Sequence, residues 1–268
     1  MNRSAHDNLT DAWRDWWQGT RNVDFWATLA WFDITLRYRR SMLGPLWLTI
    51  STGLMLLGVG PVYAALMKVP LSEFFPHLTL GIIFWQFFTG AINDGCGVFI
   101  AAAPFLKQAA YPASLFVWRM LARNLIQLAH TLVLFIPVAL WFGLPPSGRM
   151  LLLIPGLLIV IVNLHALGIT LGCLCARFRD VPQIVSSLLA VLIFLTPVFW
   201  LPQFLPPGRL QYVLLNPLAQ LLDAVRLPLL GGVPALGTYW FLLCFTCLNI
   251  GIAGIVYMLK RRQLVFWI

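Results

Sequence analysis

The sequence predicts an all-α integral membrane protein with about six transmembrane helices. An N-terminal amphipathic interface helix precedes the spans, and two short re-entrant helices precede the last one. Three observations carry this. First, the 268 residues are 60% hydrophobic and only 10% charged, where a soluble domain carries about 25% charged residues; the mean hydropathy is +0.84. Second, the apolar residues gather in runs near the roughly 20 that a helix needs to cross hydrocarbon. Third, Lys and Arg gather on alternate loops, the asymmetry that orients a membrane protein. The net charge of +9 is therefore a topology signal, and no nucleic-acid partner is expected.

Residues 1–40 read as an arm. Trp13, Trp16 and Trp17 fall at helical spacing among Asp11, Arg14 and Asp15. Phe25, Leu29, Phe32 and Leu36 make one apolar stripe, while Asp24, Asp33 and Arg37 interrupt other faces. A helix with aromatics on one side and charges on the other lies in the membrane interface; packing on a soluble partner is the alternative. Asp7, Asp11 and Asp15 read as a solvated face. No signal-peptide pattern precedes the first long apolar run, which starts near Leu46.

Residues 41–268 read as the transmembrane domain, with spans at about 45–66, 77–101, 113–142, 151–176, 182–200 and 237–259. Pro70 and Pro76 break the chain after the first span, and Pro145-Pro146 after the third. Arg3, Arg14, Arg21, Arg37, Arg39, Arg40, Lys107, Arg177, Arg179, Lys260, Arg261 and Arg262 fall on one side. Lys68, Arg149, Arg209 and Arg226 fall on the other. The richer side is cytosolic, so both termini are expected inside.

The stretch from Arg177 to Trp200 has a charged head, an apolar run and the ending Thr196-Pro197-Val198-Phe199-Trp200. Asp180 is placed to cap the helix and Pro182 to sit in its first turn. Pro197 removes a donor near the outer end. Residues 201–236 are apolar yet cut by Pro202, Pro206-Pro207, Asn216-Pro217 and Pro228 into pieces too short to cross. Asn216 is a good N-cap. Two helices that dip into the outer leaflet need protein or a wet cavity around them; a flat external hairpin is the alternative.

Two motifs carry a resemblance. Arg179-Asp180, Gln183-Ile184-Val185 and the Thr196–Trp200 ending resemble the fifth span of the membrane subunit of polysaccharide-exporting ATP-binding-cassette (ABC) transporters. Tyr38-Arg39-Arg40-Ser41-Met42-Leu43-Gly44-Pro45-Leu46-Trp47 resembles that family's approach to its first span. The likeness runs over nearly the whole chain in order and spacing. It implies the permease subunit of an ABC type-2 exporter in a bacterial inner membrane, partnered by separate ATPase subunits. Its implied substrate is a lipid-linked polysaccharide: O antigen first, capsular polysaccharide or teichoic acid otherwise. Two copies would pair as a homodimer, since one chain of about six spans is small for a glycan conduit. The family's paired short helices also favour re-entry for 201–236.

The residues themselves argue in the same direction. Lys68, Lys107 and Lys260 lack the glycines of a phosphate-binding loop. No cofactor is expected in this chain, and ATP and Mg would sit on the partner subunit. The loop after the second span, with Phe105, Leu106, Lys107 and Tyr111, has the mixed character of an ATPase-coupling helix; a plain turn is the alternative. Arg37, Arg39 and Arg40 are placed to meet a lipid pyrophosphate, or merely to fix orientation. Tyr38, Trp47, Tyr63, Phe194, Phe199 and Trp200 are candidate conduit aromatics, because sugar faces stack on aromatic rings.

A membrane-bound glycan-modifying enzyme is the reading from another class. It would need acidic pairs or a His cluster at the membrane surface. The nine acidic residues include no Asp-x-Asp, and His130 and His165 stand alone within spans, where an interhelical hydrogen bond is the usual role. Neither catalytic nor metal-binding residues are expected.

Helix rise makes one further prediction. Asp94 lies roughly 15 Å back from Pro104, while Arg119 and Arg123 lie roughly 10 and 16 Å beyond Pro112. If the second and third spans form an antiparallel hairpin, Asp94 is level with Arg123. Intramembrane charges are costly and usually pair or face a cavity. A structural ion pair Asp94–Arg123 is expected, with Arg119 snorkelling to the interface; facing a wet path is the alternative.

Overall fold

The computed structural model describes residues 5–39, 42, 44, 46–108 and 111–268. The arm is two helices, α1 (Ala5–Arg21) and α2 (Val23–Tyr38), parted at Asn22, whose backbone leaves the helical region. α1 lies across the later helices α6 and α12 and sets Trp16 against His165 of α8, and α2 packs on α6. The buried face of α2 is Ala30 and Ile34; Phe32 and Leu36 of the expected stripe are exposed. α2 thus has two apolar faces, one for protein and one for lipid.

α3 (Leu46–Met67) is apolar all round, but it buries only the narrow stripe Thr49, Thr52, Leu56, Gly60 and Ala64. α4 (Leu71–Ala101) is the centre of the bundle. It is buried for most of its 31 residues and touches α3, α6, α8, α9 and α11. A helix apolar on every side belongs in a core, and Phe74, Phe84, Phe88 and Phe99 are wholly enclosed. α4 starts at Leu71, six residues before the expected boundary, and runs through Pro76. The helix forms after extended Pro70, and burial of Phe74 and Phe75 outweighs the one donor that Pro76 lacks.

α5 (Ala103–Gln108) is a single short helix at the turn. α6 (Ser114–Leu132) and α7 (Phe135–Trp141) together make the next crossing. They part at Val133–Leu134 because Pro137 offers no donor to the Val133 carbonyl. A short 3-10 turn, Gly148–Leu152, leads into α8 (Leu153–Arg177).

α9 (Val181–Leu195) has 15 residues, about 22 Å, against the roughly 30 Å of hydrocarbon to be crossed. Among the described residues five helices are long and apolar enough to span by themselves, and α9 is shorter. Helix α9 stops at Leu195 because Thr196 is extended and Pro197 cannot continue it. Pro182 lies in the first turn as expected, but the Asp180 side chain makes no capping bond.

Short α10 (Leu210–Leu214) precedes α11 (Pro217–Leu229). Asn216 caps α11 by accepting from Leu218 N and Ala219 N (3.0 and 3.4 Å). α11 is enclosed by α4, α8 and α12, so its apolar residues face protein, whereas Tyr212, Leu214 and Leu215 before it are exposed.

The final helix, α12 (Leu236–Trp267), runs past its expected end through Lys260, Arg261 and Arg262. Carboxylates of α1 receive two of these cations: Arg261 Nε lies 3.2 Å from Asp15 and Arg262 Nη2 donates to Asp11 at 2.8 Å. The first and last helices thus meet at one end of the bundle, here the terminal side. α5 belongs to this side; α11 and the Thr196–Trp200 break belong to the far side.

Close approach at Gly156 seats α11 on α8: a Cβ there would run into the Ala224 carbonyl. Gly156→Ala is therefore expected to push α11 away. Its melting temperature should fall by several degrees, whereas Gly237→Ala, facing open space, should leave it unchanged in the same thermal-shift measurement.

Candidate functional site

On the terminal side four helices meet around charge. Arg119 of α6 forks onto Asp33 of α2, with Nε and Nη2 donating at 2.8 and 2.5 Å. Arg123, one turn on, donates to Asp94 of α4 at 2.7 Å and lies 3.4 Å from Asp33. Asn124 adds a bond to Asp94 at 2.9 Å. The structure thus brings Asp94 and Arg123 together.

Arg119 does not snorkel free; Asp33 holds it in a bidentate pair, the geometry that a planar guanidinium favours. Asp33 is the residue that sequence reasoning missed. Its signal was position: it stands one residue from buried Ile34 and three from buried Ala30, on the face turned to α6.

The cluster extends to the turn. The Arg119 guanidinium lies 5.4 Å from the Phe105 ring of α5, and Phe105 packs on Phe116 at 5.6 Å. Tyr111 stacks on Phe25 at 5.2 Å. Leu106 packs on the core, whereas Lys107 is exposed. A single guanidinium therefore touches both α5 and the arm. Arg37 and Arg39 are exposed at the end of α2, where Tyr38 is half-buried; Arg40 lies outside the described residues.

A second fastening holds α1. Asp15 is 8% exposed, which corrects its reading as part of a solvated face. Its carboxylate accepts from Tyr257 OH and Ser114 Oγ, and Arg261 stands beside it. Asp11, on the same helix, is engaged by Arg262.

The far side is built on the break after α9. Freed backbone groups there need partners, and two side chains from beyond Trp200 supply them. Asn216 Nδ2 donates to the Leu195 carbonyl at 3.4 Å and to Thr196 Oγ1 at 3.0 Å, and Arg226 Nη1 donates to the Pro197 carbonyl at 2.6 Å. Arg226 is 1% exposed, although the sequence counted it among the charges of the outer side. It pairs with Asp223 at 2.6 Å and lies 3.0 Å from His77 Nε2, itself 3.2 Å from the Pro197 and Trp200 carbonyl oxygens. Burial pulls the Arg226 pKa down, and the Asp223 carboxylate opposes it; a guanidinium keeps its charge under such pressure. The sequence signal was Asp223, three residues before Arg226 on a helix apolar enough to be buried.

The candidate aromatics fall into two groups. Tyr63, Phe199 and Phe194 form a chain with centroid spacings of 5.6 and 6.3 Å, and Trp200 Nε1 donates to the Phe194 carbonyl at 3.0 Å. Tyr38 and Trp47 are not part of it: Trp47 stands 16 residues before Tyr63 on α3, about 24 Å away along the helix. Nor do the lone histidines hydrogen-bond between helices through their rings among the described residues. His130 Nδ1 turns to Ile126 O of its own helix at 2.7 Å, and His165 Nε2 has no hydrogen-bond partner among the described residues.

Nothing in these clusters resembles a reaction centre; they are fasteners between helices. Among the described residues no group of three or more His, Cys, Asp or Glu side chains could hold a metal ion. A family model described as "ABC-2 type transporter" matches residues 25–230.

The chain belongs to the ABC-2 transporter family.

As an ABC-2 membrane subunit it is a multi-pass transporter component rather than an enzyme, and it works with an ATP-binding subunit. It is similar to the O-antigen export system permease protein RfbA of Klebsiella pneumoniae, 24% identical over 195 residues, covering 72% of this chain and 75% of that protein. It is similar to the protein of the same description from Myxococcus xanthus, 25% identical over 196 residues, with 72% and 75% covered. The matched region of this ABC-2 subunit includes the α2–α4–α5–α6 charge cluster and all of α11.

Proposed function

We propose that this chain is the permease of an ATP-driven exporter that carries a lipid-linked polysaccharide, O antigen, across the bacterial inner membrane. The observation that carries the reading is the likeness to O-antigen export permeases over about three quarters of each chain. The terminal side is cytosolic, as its basic residues indicate. Separate subunits bind ATP and Mg and dock at α5. Movement there passes through Phe105 to Arg119 and Asp33, and so to the arm. Arg37, Arg39 and Arg40 receive the pyrophosphate of the lipid-linked glycan as it approaches. The aromatic chain Tyr63–Phe199–Phe194 lies along the glycan path, and α11 re-enters the far leaflet.

Two copies form the conduit. α3 and α9 present apolar faces with little cover, including Leu57 and Phe194 at 66% and 64% exposed. Capsular polysaccharide or teichoic acid would use the same groups, and the identity of the exported glycan separates these cases.

The docking site is tested by cross-linking. A cysteine replacing Lys107, which is exposed on α5, should form a bond to the co-expressed ATP-binding subunit. It should also be shielded from impermeant thiol reagents in intact cells. Labelling from outside the cell, with no cross-link, would remove α5 as the contact.

A further inference from the structure

α4 is buried through the middle of the bundle except on one face. Between Phe74 and Phe99 only Gln86, Thr89, Gly90, Asn93, Asp94 and Gly97 are not buried. Their spacing of three and four residues puts them on one side of the helix, over roughly 16 Å of rise. No large apolar side chain is among them. α9 is exposed on two faces of opposite character. Ile184, Leu188, Val191 and Leu195 make one, apolar and suited to lipid; Gln183, Ser186, Ser187 and Ala190 make the other. The two polar faces meet, because Ser186 Oγ donates to Asn93 Oδ1 at 2.9 Å. Thr52 of α3 donates to Gln86 Oε1 at 3.1 Å. The amide N–H groups of Gln86 and Asn93 have no acceptor among the described residues. One turn past Ala190, the α9 stripe reaches Phe194 of the aromatic chain.

We infer that the joined stripes of α4 and α9 are a specificity subsite of the export path, one that takes an uncharged, hydroxyl-rich glycan chain and rejects a polyanionic one. The inference rests on the export reading above and adds the charge class of the cargo.

Three features select this occupant. Polar side chains at membrane depth face protein or a water-filled cavity rather than lipid, so the stripe lies on a wet path. Amides and hydroxyls both donate and accept, and a sugar hydroxyl needs both when it leaves water. Lastly, the charges are already spent. α3 and α9 carry no Lys, Arg, Asp or Glu. Asp94, 34% exposed, is the ionised group of the stripe, and the adjacent Arg119 and Arg123 are held by Asp33 and Asp94. A polyanion here would lose water and meet a carboxylate without a cation to replace that water, which is costly. An uncharged chain bears no such cost.

The test has two readouts. Cysteines replacing Asn93, Ser187, Leu188 and Val191 one at a time, with Cys244 and Cys247 changed to alanine, are treated in membrane vesicles with a small hydrophilic methanethiosulfonate. Positions 93 and 187 should react at least tenfold faster than positions 188 and 191. Equal rates would overturn the wet path, whatever the chain exports. A disulfide between two copies at position 93 or 187 would make the stripe a seam between copies and overturn the glycan as its occupant. Export is then compared in cells that build either an uncharged or a polyanionic glycan on the same lipid carrier. The wild type should deliver the uncharged glycan at least tenfold better. Asn93→Leu with Ser187→Leu should lower that delivery at least tenfold while monodisperse elution and ATP hydrolysis persist. Equal delivery of the two glycans would overturn the charge selection, and undiminished delivery by the double variant would overturn the subsite. Delivery of neither glycan, with positions 93 and 187 still reactive, would overturn the export reading and this occupant while the wet stripe stands.

Discussion

Replacing Arg226 by methionine is expected to abolish most of the folded yield of this protein. The guanidinium is wholly buried and serves three groups: the Pro197 carbonyl, Asp223 and His77. Methionine keeps much of the length but leaves a half-buried carboxylate and an enclosed backbone acceptor without their donor. Removing one member of a buried ion pair typically costs about 3–5 kcal/mol, a large part of the 5–15 kcal/mol that holds a typical domain together. Lysine retains the charge but not the fork, and should recover only part of the loss. The observable is the amount and melting temperature of monodisperse protein in detergent. A methionine variant that melts with the wild type would show that the break after α9 is held by other means.

The second large effect is expected at Asp33. Two guanidinium groups converge on it, whereas Asp94 meets one, that of Arg123, beside the Asn124 amide. Asp33→Asn should therefore be the most damaging of the four single neutralisations in the cluster, since it leaves Arg119 without its carboxylate and weakens Arg123. Asp94→Asn should be milder, because Asp94 is 34% exposed and Arg123 keeps Asp33. A cycle of Asp33→Asn, Arg119→Gln and both together should show less than additive loss of folded protein, with a coupling of about 1–3 kcal/mol. Purely additive losses would dissolve the pair. If the folded double variant also loses export while retaining ATP hydrolysis, the Arg119 bridge between α5 and the arm carries the motion.

The residues that the sequence made legible are those whose partners lie close along the chain. Counting helix rise on either side of the α5 turn brings Asp94 and Arg123 to one level, and their side chains meet at 2.7 Å. Asn216 declares its cap within three residues. Asp33, Arg226 and Asp15 were read as surface charges because their partners are remote: Asp33 meets Arg119 across 86 positions, Arg226 meets His77 across 149 and Asp15 meets Tyr257 across 242. A periodicity argument sees only the face a residue occupies, not what the fold brings to that face. The same limit applies to span length. The apolar run continues past Leu195, but Thr196 and Pro197 end the helix, and their freed groups find partners on α11 and its cap.

The central claim, export of a lipid-linked glycan by this ABC-2 subunit, is tested most directly in cells that assemble O antigen on its lipid carrier but lack their own exporter. Expression of this chain with its ATP-binding subunit should bring the glycan to the periplasmic face, where ligation to the lipid core makes it detectable at the surface. A catalytically dead ATP-binding subunit should block that appearance. Glycan that stays on the cytosolic face, while the complex is assembled and hydrolyses ATP, would contradict the account.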